Sequence, residues 1–285
     1  MYGRYLRIAL MSCVVGPFLG AGFSVAVWSK PVVPSNGSSL VPHAAVYRME
    51  LHSARSSSGI VGASGTMRYT FEDGCTAWKV KTRTDLTLFQ SQGDAFSSSW
   101  DFLSWESKDG QSYRFSVQNM RDGEVLDAYQ GEARMPPAGV GSALFRIEGD
   151  QQDVVFDLSP GTLFPAAHTD LLFRQARNGG RFLARPVFDG SIIGPAFDLS
   201  AAVGNPFPDQ ASSVLPGNAL LKGGGWPIVM AFFNPANGGG VPDFEVSLRY
   251  RNNGIAESLL QNFGTFSLRG TLVELHPPPA PDCAL

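Results

Sequence analysis

Four histidines, His43, His52, His168 and His276, and two cysteines beyond the N-terminal segment, Cys75 and Cys283, are the side chains best suited to ligate a metal, move a proton or form a covalent bond. No histidine stands in H-E-x-x-H or another metal-ligand spacing. His43 follows Pro42 at a strand start and His168 falls in the first turns of a helical segment, so both read as structural. The cysteines are far too distant in sequence for a C-x-x-C redox pair. Asp101 and Glu106 flank Trp105, and two carboxylates beside an aromatic platform is the layout of a glycosidase. That gives the enzymatic reading, an envelope glycan or peptide hydrolase. On a strand, however, the same three residues are a wet face beside a core tryptophan.

The other catalytic signatures are missing from the sequence. It holds no G-x-S-x-G nucleophile elbow, no G-x-x-x-x-G-K-[ST] phosphate loop and no G-x-G-x-x-G after a strand. The glycine runs Gly223-Gly224-Gly225 and Gly238-Gly239-Gly240 lie in loops without a following helix. Asp189, in Phe188-Asp189-Gly190-Ser191, reads as a turn organiser that accepts backbone N–H bonds. The chain is therefore read as a non-enzyme without catalytic residue, metal or cofactor. Trp78, Trp100, Trp105 and Trp226, with Phe232 and Phe233, are the candidate lining of a cavity. Ordinary core packing is the competing reading for all six.

The N-terminus frames this chemistry. Arg4 and Arg7 precede an apolar run from Ile8 to Val27, with an A-x-A-like site at Ser24-Val25-Ala26 near its end, which is the layout of a secretory signal peptide over residues 1–26. A retained membrane anchor is the alternative, since about 20 apolar residues can span a bilayer. Gly16, Pro17, Gly20 and Gly22 interrupt such a helix and favour cleavage. Leu10-Met11-Ser12-Cys13 superficially resembles a lipoprotein site, but most of the apolar run follows Cys13, which should leave with the signal. After cleavage the chain is expected outside the cytosol and not as an integral membrane protein.

Losing Arg4 and Arg7 takes the formal net charge from -3 to -5, and the pI near 5.8 without a Lys/Arg run excludes nucleic acid as partner. In an oxidising compartment Cys75 and Cys283 read as one disulfide. By the chain-entropy argument a loop of about 209 residues gains on the order of 5 kcal/mol as an upper figure.

Such residues need a scaffold, and the pattern predicts strands. The chain's 32 Gly and 20 Pro accompany few helical periodicities. Over 76–89, Trp78, Val80, Leu86 and Leu88 share one parity while Lys79, Lys81, Arg83 and Asp85 share the other, which is a strand with one buried face. Similar alternation marks 46–51, 67–72 and 113–118. Further strands are expected at 96–106, 124–134, 143–148, 153–158, 181–189, 195–201, 227–233, 243–251 and 264–275. Asp73-Gly74, Asp122-Gly123 and Asn253-Gly254 are hairpin turns.

One helix is expected over 165–178, opened by Pro165 and closed by Gly179-Gly180. Residues 202–225 read as a long Pro/Gly-rich loop or disrupted strand region. The expected architecture is all-β, a long antiparallel meander of a dozen or more strands, curled to hide its edges. Residues 27–40 are expected to be a flexible N-terminus, and 41–285 a single domain. Charged residues on the wet faces leave no continuous lipid-facing band of an outer-membrane barrel.

Several segments, taken in order, carry a resemblance. Val41-Pro42-His43-Ala44-Ala45-Val46-Tyr47, Gly65-Thr66-Met67-Arg68-Tyr69 before Cys75, Gly161-Thr162-Leu163-Phe164-Pro165 with His168-Thr169, Val187-Phe188-Asp189-Gly190-Ser191 and the late Cys283 resemble the EipB envelope-integrity family of Gram-negative alphaproteobacteria. The resemblance covers roughly residues 41–283. It implies a periplasmic β-spiral with a disulfide from Cys75 to Cys283 and a role in envelope integrity. Its shape is similar to periplasmic lipid and lipoprotein carriers, so a cavity for an acyl chain or a peptide follows by fold analogy. The expected function is non-enzymatic support of the envelope through a partner protein or an amphiphile, with a lipid carrier as the alternative. Only 202–225 departs, through its Pro/Gly content.

Overall fold

The computed structural model describes residues 39–283 apart from 211 and 239, so the expected signal peptide and most of the expected flexible N-terminus lie outside the described residues. Alternation of apolar and polar residues builds the first half: β1 (His43–Ala54), β2 (Ile60–Asp73), β3 (Ala77–Gln90), β4 (Phe96–Ser107), β5 (Ser112–Arg121), β6 (Glu124–Arg134), β7 (Gly141–Ile147) and β8 (Val154–Leu158). After α1 (Pro165–Arg177) the second half follows: β9 (Phe182–Val187), β10 (Phe197–Val203), β11 (Gly225–Phe233), β12 (Phe244–Arg251), β13 (Ala256–Asn262) and β14 (Phe266–His276).

The described residues form one 14-stranded sheet in the order β8-β7-β6-β5-β4-β3-β2-β1-β14-β13-β12-β11-β10-β9. Every strand pair in that order is antiparallel, and all but one join sequence neighbours. The exception is β1 with β14, where Tyr47 lies opposite Leu272 and Met49 opposite Gly270. Turn chemistry sets the hairpins as expected. Asp122 and Gly123 both take positive φ, 51° and 85°, which suits the tight β5–β6 connection.

β13 is the strand that the sequence reading did not separate. Leu259 and Leu260 stand side by side and Glu257 is buried, so period-two alternation is lost there. A register shift between Arg249 and Tyr250 opposite β13 marks the irregularity.

The sheet curls so that alternate side chains face an interior filled by three apolar clusters. The first collects Tyr47, Met49, Leu88, Leu268 and Leu272 around β1 and β14. A second packs Phe173 and Leu172 of α1 against Phe197, Ile228 and Phe71. The third joins Phe115, Phe145 and Tyr129 to Phe164 and Phe188 from the segments flanking α1 and β9.

Buried tyrosines tie distant parts together. The Tyr47 hydroxyl donates to the Ala256 carbonyl at 2.8 Å, reaching from β1 past β14 to β13. Tyr113 donates to the Asp189 carbonyl at 2.9 Å and Tyr129 to the Ser191 carbonyl at 2.5 Å, docking the loop after β9 onto the first half. Gly190 in that loop has φ of 68°, and a Cβ there would lie 2.5 Å from the Phe115 ring, so the close approach needs glycine. Asp189 organises the turn as expected, its carboxylate accepting the Ser191 N–H at 2.9 Å and hydroxyl at 2.8 Å.

Helix α1 begins at Pro165, as its sequence suggests, and sits between the two halves. Between β10 and β11, the described residues of 204–224 form no strand of their own apart from a bridge between Phe207 and Gly225. Val214, Leu215, Leu220 and Leu221 of this segment pack into the first cluster. Its backbone is held by polar anchors. Arg251, 1% exposed, donates to the carbonyls of Gly223 and Gln210 (3.1 Å) and to Glu257 at 2.7 Å. Glu257 also pairs with Arg249 at 2.8 Å, and Arg249 lies 3.6 Å over the Phe207 ring. These partners hold the Glu257 carboxyl below its usual range despite its burial.

Cys75 and Cys283 are joined by a disulfide with a Cα–Cα distance of 5.8 Å across a sequence separation of 208. Cys75 takes φ of 68° in the β2–β3 turn, where its N–H donates to Asp73 at 2.8 Å. Among the described residues no helix is long and apolar enough to cross a membrane.

Two outcomes follow from these restraints. Cys283→Ser should retain the far-UV circular dichroism of the sheet and melt several degrees lower, and wild type in reductant should fall to the same temperature. Equal melting of oxidised and reduced wild type would contradict this. Arg251→Leu removes one partner of the buried Arg251–Glu257 pair and leaves Arg249 as the remaining cation on that carboxylate, which costs about 3 kcal/mol. For a chain of this size that corresponds to a melting temperature lower by roughly 6–12 °C, with faster proteolysis within 204–224.

Candidate functional site

The interior opens onto a cavity of about 70 Å³ where the start of β1, the ends of β2 and β4, the start of β3 and the N-terminus of α1 meet. Its wall is built by parity. Phe71 on β2 and Trp78 and Val80 on β3 turn inward beside Ser104 and Glu106 of β4. Tyr69, two residues before Phe71 on β2, joins them with His43 of β1, and Tyr250 comes from β12. The rings are in mutual contact. Phe71 stacks on Trp78 with centroids 4.9 Å apart, and His43 lies 5.5 Å from Tyr69.

Glu106 is the charged group of this wall and is 4% exposed. Its two carboxylate oxygens accept the N–H groups of Ala166 at 2.7 Å and Ala167 at 2.8 Å. Those are the donors that an α-helix leaves unpaired in its first turn. Phe164, at the cap position, supplies no side-chain hydrogen bond. A carboxylate 60 residues earlier in sequence thus performs the capping, and the helix dipole adds to the attraction.

Burial nevertheless dominates and raises the Glu106 carboxyl to about 7, while the two N–H bonds pull it down. His43 donates its Nδ1–H to the Val41 carbonyl, 2.8 Å away, and burial lowers its pKa. His168, on the buried side of α1, is lowered to about 4 by burial and by the Arg185 charge.

The six aromatic candidates are dispersed. Trp78 lines the cavity, with Lys108 standing 4.6 Å over its ring. Trp100 faces inward and stacks on Phe102 at 5.3 Å. Trp226 packs on Phe173 at 6.2 Å, and Phe232 stacks on Phe244 at 4.2 Å in the helix-side core. Trp105 lines a separate recess with Arg114 and Glu132, its ring 5.2 Å below the Arg114 guanidinium. Phe233, half-buried, stands on the parity opposite to Phe232.

Asp101 and Glu106 do not converge. The strand period of two puts them on opposite faces, Asp101 pairing with Arg83 at 2.7 Å outside and Glu106 inside. Among the described residues no group of three His, Cys, Asp or Glu comes together as a metal site. Sequence reading overlooked Glu106 as a cap and the Arg251–Glu257 pair. A carboxylate on the inward parity of β4, shared with Phe102 and Ser104, was the available signal for the first.

A curled all-antiparallel sheet, with the segment after β14 tied to the β2–β3 turn by a disulfide and a carboxylate-bearing aromatic cavity beside α1, defines a β-spiral. A family model described as EipB-like matches residues 34–279, and the chain belongs to that family. It is 27% identical over 277 residues to the cell envelope integrity protein EipB of Brucella abortus (strain 2308), covering 95% of each chain. Among solved structures it resembles a beta-barrel-like protein with a domain of unknown function from Brucella abortus. That match has a TM-score of 0.74 and 26% identity, covering 84% of this chain and 99% of that one.

The buried carboxyl and imidazoles give opposite pH dependences. Glu106 binds its proton more tightly folded than unfolded, so its contribution is fully present below about pH 4.5 and is lost as pH rises through 7. His168 is depressed, so its contribution is present above pH 6.5 and is lost as pH falls through 4. Wild-type melting temperature should therefore decline from pH 6 to 8.5, and Glu106→Gln should flatten that decline and steepen the loss below pH 6.5. A thermal melt series across pH checks both slopes.

Proposed function

We propose that this chain is exported, loses residues 1–26 as a signal, and works in the periplasm through residues 41–285 as a non-enzymatic support of the cell envelope. It does so by holding an envelope amphiphile inside the curled sheet. The observation that carries this reading is the filling of the interior by 204–224. Val214, Leu215, Leu220 and Leu221 lie against the inner faces of β1 and β14, yet the segment is attached by side-chain anchors rather than by a sheet ladder. An acyl chain presents the same apolar surface as those four side chains, so its burial offsets the loss of theirs when it takes their place. The likeness to an envelope integrity protein over nearly the whole length supports the cellular role.

The opposite facing of Asp101 and Glu106, and the engagement of His43 with a backbone carbonyl, favour a non-enzymatic reading over a glycan or peptide hydrolase. Docking of a periplasmic protein is the second reading. It is favoured by the exposed Val125 and Leu126 beside the β5–β6 turn.

Protein purified from its native envelope should release acyl-bearing molecules in organic extraction followed by mass spectrometry, and a fatty ligand should raise its melting temperature. Empty extracts together with an unmoved melting temperature would remove the amphiphile reading and leave the protein-docking one.

A further inference from the structure

We propose that the cavity at the N-terminus of α1 is a binding site for a small alkylammonium group. The inference goes beyond the amphiphile reading and does not need it.

The wall chemistry carries the argument. The rings of Tyr69, Phe71, Trp78 and Tyr250 line a space of about 70 Å³ beside the buried Glu106 carboxylate, and with Phe71 and Trp78 stacked on each other the rings of Tyr69 and Tyr250 are the ones left for a ligand. Ring faces are negative in their quadrupole and attract a cation within about 6 Å of the centroid. Among the described residues that line the cavity there is no Lys or Arg, so no built-in cation fills it. Lys108 is not among the lining residues, but it stands 4.6 Å over the Trp78 ring while paired with Asp73 at 2.7 Å, so that ring already carries a cation.

The polar groups point the same way. Each oxygen of Glu106 spends one lone pair on a backbone N–H, at 2.7 and 2.8 Å, and keeps another as acceptor. The hydroxyls of Tyr69 and Tyr250 have no protein hydrogen-bond partner among the described residues, although both residues line the cavity. His43 completes the set with Nε2, since its Nδ1 is engaged by the Val41 carbonyl. Acceptors outnumber fixed donors here, and an N–H-bearing cation supplies what they lack. An anion would meet the Glu106 charge, and a neutral alkyl group would leave the hydroxyls unsatisfied.

The full mature chain can be titrated with ethylammonium chloride at pH 8, where Glu106 is mostly ionised. Ethanol serves as the neutral isostere and sodium chloride as the ionic-strength control, with amide shifts read by nuclear magnetic resonance. Saturable shifts at Tyr69, Trp78 and Glu106 with ethylammonium, and none with ethanol or sodium, are expected. Glu106→Gln should weaken binding at least tenfold. Tyr250→Leu, which keeps the carboxylate, should weaken it several-fold.

Vesicles identify the source of the ammonium. Co-sedimentation with phosphatidylethanolamine vesicles and not with phosphatidylglycerol vesicles would support a lipid head group. Ethylammonium binding without co-sedimentation would support a free amine. The site is overturned by unsaturable shifts, by an equal response to ethanol, or by unchanged affinity in a folded Glu106→Gln variant. None of those results bears on whether an acyl chain enters the interior, which the extraction experiment reads separately.

Discussion

The ladder between β1 and β14 joins the first and last strands in the middle of the sheet, and the rest of the architecture follows from that pairing. An antiparallel meander that grows outward from its own termini has two free edges, β8 and β9, and both belong to the centre of the chain. The connection between them contains α1. Leu163, just before the helix, pairs in parallel with Val187 and partly covers the β9 edge. Pro186 on β9 removes one more donor from that edge. A helix so placed must be fixed to both halves, which is what Glu106 and the helix-side core do.

Most of the scaffold was legible in the sequence because alternation is a local signal. The β3 pattern of Trp78, Val80, Leu86 and Leu88 against charged neighbours reports burial without any knowledge of partners. Pro165 and Asp122-Gly123 report backbone geometry in the same local way. β13 escaped because the pairing of Glu257 with Arg251 makes a polar residue inward-compatible, and only the fold supplies that partner. The site was less legible for the same reason. Glu106 gains its role from donors 60 residues away, and the Asp101–Glu106 proximity in sequence turned out to be separation by the thickness of the sheet.

Polar groups inside this protein serve attachment. Tyr47, Tyr113 and Tyr129 donate to carbonyls of distant segments, Arg251 holds a loop backbone, and Glu106 holds a helix. Apolar clusters are non-directional and would tolerate several ways of filling a curled sheet. A buried donor left without its acceptor is costly, so these few contacts select one filling over the others.

The β1–β14 pairing also dictates an order of assembly. β1 can pair with β2 as soon as both emerge, yet its opposite backbone edge has no mate until the final strand arrives more than 200 residues later, on the scale of the 208-residue span between the cysteines. Contacts of such long range are slow to form, and an unmatched edge is a template for pairing with neighbouring molecules. A nascent chain of this design therefore carries the open edge of β1 until β14 has been made. Closure comes as a single late event, sealed when oxidation joins the two sulfurs.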